Sequence, residues 1–138
     1  MDWKECWDKR IAKITSSDEN LIKSLIEMSN IKEKIVNSAK MDETTISAYF
    51  PLAYDSLREL IEVLALKKGF KIYNHECYTA FLKEIIKEPR MGEEFDEVRR
   101  VRNSINYYGK RISMRDFKKL MNSIDKLKGK VKILLSVK

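Results

Sequence analysis

Within nine residues of a helical stretch, Arg99, Arg102, Asn103, Asn106 and Tyr107 gather guanidinium, amide and phenol groups, a set suited to gripping a phosphate or a base. The stretch runs from Phe95 to Gly109. Read at helical spacing, Phe95, Val98, Arg102, Ile105 and Tyr108 share one face. Arg102 therefore sits among apolar side chains. A guanidinium there keeps its charge, so it must meet a carboxylate, a phosphate or water, or else snorkel to the helix edge. Pairing with a neighbouring acid such as Asp96 or Glu97 is the plain alternative to a binding site.

The elements that hold this stretch follow from apolar spacing. Trp3, Trp7, Ile11 and Ile14 predict a short docking helix over residues 3–14, with Ser16 and Glu19 spaced as a capping box for the next. Leu21, Leu25, Met28, Ile31 and Ile35 predict a long helix to about Lys40 with one buried stripe. A second long helix ends at Lys68 before Gly69, and Pro51 either opens it or lies inside it. Gly69 to Tyr73 reads as a loop, and Asn74 as the cap of a third helix running to about Lys87. The Arg102 helix follows, and Phe117, Leu120, Met121, Ile124, Leu127, Val131 and Leu134 mark a last one. The expectation is an all-α single domain over residues 1–138: an antiparallel up-and-down four-helix bundle over 18–138 with a docking helix in 1–17. A partner subunit is a second target for the Trp3/Trp7 face.

Composition narrows the function classes. The chain is 43% hydrophobic and 36% charged with four Gly and two Pro, too apolar for disorder and too poor in turn residues for a many-stranded sheet. Its Lys, Glu and Ile content is compatible with a heat-adapted source. Formal charge is +7, and residues 109–138 carry ten Lys or Arg against Asp116 and Asp125, so the remainder is close to neutral. That basic segment suits a nucleic-acid backbone or an acidic partner, or equally a solvated face. Cys6, Cys77 and the single His75 show no ligand spacing, which argues against a metal and for reduced thiols in the cytoplasm. No stretch reads as a signal peptide or a membrane span, and no motif calls for a cofactor.

Two stretches together resemble the HEPN domain family of small prokaryotic helical bundles, often encoded beside a minimal nucleotidyltransferase. Residues 65–82 are similar to the family's passage from a helix end through Gly to a His at the next helix start. Residues 99–109 resemble its R-N-x-x-x-H signature on the penultimate core helix. The resemblance covers residues 18–138 and implies a homodimer and, in catalytic members, a metal-independent ribonuclease in which Arg holds the scissile phosphate and His moves protons. Arg102 and Asn103 match the signature, whereas its His position is Tyr107. A phenol with a pKa of about 10 is a poor base at neutral pH, although it can stack on a base or donate to phosphate. His75, at a helix start, is expected to pack or cap.

These residues lead to the expectation of a HEPN-like protein binding RNA or a nucleotide-bearing ligand at a groove around Arg102, without efficient cleavage. Arg99, Arg102, Asn103, Asn106 and Tyr107 are the expected contacts. The alternatives are a partner-binding scaffold in a toxin–antitoxin-like pair with a nucleotidyltransferase, and a metal-independent ribonuclease using Arg102 and Tyr107.

Overall fold

A computed structural model describes residues 1–108 and 111–136, the last three of the first range by backbone alone. Its elements in chain order are α1 (Trp3–Asp8), β1 (Ala12–Ile14), α2 (Glu19–Ser38), α3 (Ile46–Lys67), β2 (Phe70–Ile72), α4 (His75–Ala80), α5 (Pro89–Tyr108) and α6 (Met114–Ser136). The chain is mostly helical, as the apolar spacing predicts.

The core forms around α3, which is apolar on nearly every side and buries Ile46, Phe50, Tyr54, Leu57, Ile61 and Leu64 almost completely. Helices α2, α5 and α6 pack against it. The helix begins before Pro51, which lies within its second turn. From α6, Phe117, Leu120, Ile124, Leu127 and Val131 meet the core at the predicted spacing, and the Ser113 hydroxyl accepts from the Asp116 amide at 3.1 Å to cap the helix.

Of the stripe expected on α2, Leu21 and Leu25 pack against the cluster of Ile22, Val63 and Leu66, but its last three residues turn outward. Ile22, Ser29 and Val36 are the buried line, whereas Met28, Ile31 and Ile35 are exposed. The reason is a polar knot between two small side chains. The Ser29 hydroxyl donates to the Ser56 carbonyl at 2.7 Å, and the Ser56 hydroxyl donates to the Ser29 carbonyl at 2.8 Å. From α6, Lys128 donates to Ser56 Oγ at 2.7 Å and to Glu33 at 2.6 Å, locking three helices together. Asp18, not Ser16, caps α2, accepting from the Leu21 amide at 3.0 Å.

The amino-terminal segment departs further from expectation. Only six residues are helical, Arg10 takes a left-handed turn (φ 58°), and β1 then pairs antiparallel with β2 in the register Ala12–Ile72, Lys13–Lys71 and Ile14–Phe70. The stretch read as a loop is thus one strand of a small sheet. Helices this short owe their form to packing, so tertiary pairing overrides a weak helical period. Gly69, with φ 90°, makes the left-handed turn between α3 and β2. Trp3 packs against Phe70 and Phe81, with centroids 5.2 and 6.0 Å apart, so it docks on the chain's own body. Trp7 keeps 42% of its surface exposed, and Ile14 faces solvent.

The cysteines are not the reduced thiols that their spacing led us to expect. Cys6 and Cys77 form a buried disulfide across 71 residues, their Cα atoms 6.0 Å apart, and it ties α1 to α4. No local spacing could announce that pair, because docking of α1 brings it together. Beyond α4 the helix widens into a π turn over Phe81–Ile85, and Lys87 reverses the chain at φ 64°. Gly92 lets α5 approach closely, since a Cβ there would meet the Thr79 carbonyl at 3.1 Å. Among the described residues, no helix is long and apolar enough to cross a membrane.

Candidate phosphate-binding pocket

Helix α5 carries Arg102 into the interface with α3, because Phe95 and Val98 on the same face are fully buried and fix its rotation. The side chain is mostly covered, and its carboxylate neighbour is Asp55 on α3, 3.9 Å away, rather than Asp96 or Glu97. Its guanidinium carbon lies 5.6 Å from the centre of the Tyr54 ring. Asp96 serves other arginines. It accepts from Arg99 Nε and Nη2 at 3.0 and 2.8 Å, pairs with Arg100 at 2.9 Å, and accepts from the Thr79 hydroxyl at 3.1 Å. Burial raises the Asp96 pKa, but the Arg99 and Thr79 hydrogen bonds and the arginine charges outweigh it and hold the carboxyl below its ordinary value.

From the opposite wall comes His75. Asn74 caps α4 by accepting from the Glu76 amide at 2.7 Å, and the disulfide at Cys77 anchors the same turn. Nδ1 of His75 lies 3.1 Å from the Tyr54 hydroxyl, in a hydrogen bond whose direction follows the tautomer. With Nδ1 so engaged, Nε2 is the nitrogen left for another partner. Burial, and then the positive charges of Arg58 and Arg102, push the His75 pKa down to about 4, with Asp55 opposing. The imidazole is therefore neutral at pH 7. Burial also raises the Tyr54 pKa well above its usual value, so its hydroxyl stays protonated.

These groups line one open pocket of about 310 Å³, bounded by Tyr73, Asn74, His75, Glu76, Arg99, Arg102 and Asn103. Three of the five expected contacts, Arg99, Arg102 and Asn103, thus come together. The expected roles of Asn106 and Tyr107 fall on side chains outside the described residues. His75, expected to pack or cap, packs against Tyr54 and Tyr78 and also lines the pocket. The sequence reading did not single out Tyr54, which meets His75, or Asp55, which neighbours Arg102, although a phenol and a carboxylate side by side on the core helix were a usable signal. The Arg102 guanidinium, the Asn103 amide and a neutral imidazole can together hold an oxyanion, with Arg99 partly engaged by Asp96 and the Glu76 carboxylate on the same lining opposing it. Among the described residues no three His, Cys, Asp or Glu side chains group as a metal site. No protein-family model, curated protein or solved structure matches the chain.

Proposed function

We propose that the protein binds RNA, or a ligand bearing a nucleotide phosphate, in the Arg102 pocket, as a HEPN-like bundle with a degenerate R-N-x-x-x-H signature that cleaves inefficiently. The observation that carries this reading is the convergence of Arg102, Arg99 and Asn103 on one pocket with the neutral His75. Helices α2, α3, α5 and α6 supply the four-helix frame of the reading. Basic α6 adds a salt-dependent, sequence-blind contribution. A second reading is a metal-independent ribonuclease, for which His75 is the imidazole on the pocket's lining; bound phosphate would have to raise its depressed pKa toward neutrality before it served as a base.

Binding of a labelled mixed-sequence RNA, followed across a salt series, tests the first reading. Arg102→Ala weakens binding and flattens the salt slope by about 0.7, the share of one phosphate contact on a single strand. An unchanged affinity and slope reject Arg102 as the phosphate contact. The same samples incubated in EDTA test the second reading: cleavage lost in both Arg102→Ala and His75→Gln establishes the ribonuclease, and absence of cleavage by wild type removes it. The compartment we favour is the cytoplasm of a heat-adapted cell, where intracellular disulfides such as Cys6–Cys77 persist.

A further inference from the structure

The outer face of the small sheet holds an aromatic ring where a fold has little use for one. Tyr73 follows β2 directly and leaves 63% of its surface in water. Its position is nevertheless fixed, because its amide donates to the Ile11 carbonyl at 2.8 Å and so continues the ladder beyond Ala12–Ile72. Two lysines reach over it. Lys13 Nζ is 5.5 Å and Lys71 Nζ 6.0 Å from the ring centre.

Those lysines are directly opposite each other across the two strands. Like charges in that position repel and weaken a sheet. Glu62 takes up part of the charge by accepting from Lys71 at 3.0 Å, which also pins that ammonium group, whereas Lys13 is exposed. An anion laid between them would relieve the remaining repulsion. The ring also belongs to the Arg102 pocket, since Tyr73 is one of its lining residues. Lys13 also lines a second depression, with Trp7 and Arg10.

We infer that Tyr73 is the stacking platform for an unpaired base of single-stranded nucleic acid, with Lys13 and Lys71 holding the adjoining phosphates. This deepens the RNA-binding reading and rests on it: the Arg102 pocket takes one phosphate, and the neighbouring nucleotide lays its base on the ring. An exposed ring held by a rigid strand and flanked by cations is how sequence-tolerant single-strand sites gain affinity. A duplex cannot use it, because its bases are already stacked. The lysines of α6, by contrast, have no aromatic residues interleaved among the exposed positions.

The test measures dissociation constants of the full chain for a mixed-sequence single-stranded RNA and for the duplex of the same sequence. Four variants are compared with wild type: Tyr73→Ala, Tyr73→Phe, Lys13→Gln and Arg102→Ala. Stacking predicts that Tyr73→Ala weakens single-strand binding about tenfold with the salt slope unchanged, that Tyr73→Phe binds as wild type, and that duplex affinity does not move. Lys13→Gln lowers the salt slope by about 0.7. If Tyr73→Ala binds the single strand as wild type does while Arg102→Ala does not, the platform is overturned and the pocket reading survives. Equal weakening toward duplex, or a Tyr73→Phe as weak as Tyr73→Ala, also overturns stacking. Failure of wild type to bind either RNA overturns both readings.

Discussion

Lowering the pH through the His75 titration should destabilise the fold in a window that no other described histidine or carboxylate dominates. The imidazole titrates near 6.5 in the unfolded chain and at about 4 when folded, because burial and the facing charges of Arg58, Arg102 and Arg99 oppose its protonation. Asp55 is the opposing charge, and Tyr54 and Tyr78 keep protonated phenols beside it. Between those two values the unfolded chain binds more protons than the folded one, so stability falls as pH falls. The contribution of neutral His75 is complete above about pH 6.5, declines below it, and is exhausted near pH 4. From pH 7 to pH 5 the loss is about 1 kcal/mol, from 1.36 kcal/mol per unit over that window reduced by about half because the ring is only half-buried and solvent screens the charges around it. Urea unfolding of wild type and His75→Gln at a series of pH values isolates the effect, because Asp125, whose carboxyl burial pushes upward, contributes equally to both and cancels. The sole histidine also gives one clean imidazole resonance by NMR. A resonance titrating near 6.5, or a flat difference between the two unfolding curves, refutes the burial and charge argument. Inorganic phosphate bound at Arg102 should raise the titration midpoint, since it neutralises the charges that depress it.

Other consequences concern stability and assembly. Cys6→Ser with Cys77→Ala should lower the unfolding free energy by about 4 kcal/mol on the loop-entropy model for the 71-residue separation, read as a lower urea midpoint; equality with wild type would remove the disulfide from the fold's supports. Lys128→Ala should cost about 2 kcal/mol, low for a buried pair because Glu33 keeps 34% of its side chain exposed, and Lys128→Met should cost less by retaining the stem. A reversed order of their melting temperatures contradicts this. If the homodimer expected from the sequence forms through the exposed Met28, Ile31 and Ile35, an antiparallel two-fold pairing of α2 sets Glu27 against Lys34. Sedimentation should then show a dimer that Ile31→Asp disrupts, and a monomer mass at every concentration excludes it.

How far each element could be read beforehand followed from how local its determinants are. Phe117 to Val131 on α6, the Asn74 cap and the Gly69 turn are set by periodicity or by one residue's backbone preference, and each appears where expected. The α2 face was misread because the hydrophobic count favours Met28, Ile31 and Ile35, whereas two serines decide which side can approach α3 closely. Strand β1 and the disulfide depend on partners roughly sixty to seventy residues away, a distance at which spacing carries no information. In the pocket, Arg102 was legible from charge on an apolar face. His75 was not, because its value comes from Tyr54 and from arginines on two other helices.

The amino-terminal segment thereby acquires a place in the site's construction. His75 begins α4, which with its π turn ends at Ile85, a helical run too short to hold a fixed orientation alone. Its turn is fastened at Cys77 to α1, and the α-amino group of Met1 pairs with Glu76 at 3.1 Å. Trp3 closes the far side by packing on Phe70 and Phe81. The same segment then supplies β1, whose register sets Lys13 beside Tyr73. Thus α1 and β1 orient the imidazole wall of the pocket and the sheet face leading away from it, while α3 and α5 hold the arginine wall. Loss of α1 docking should alter the His75 titration and single-strand affinity together, although none of its residues lines the Arg102 pocket.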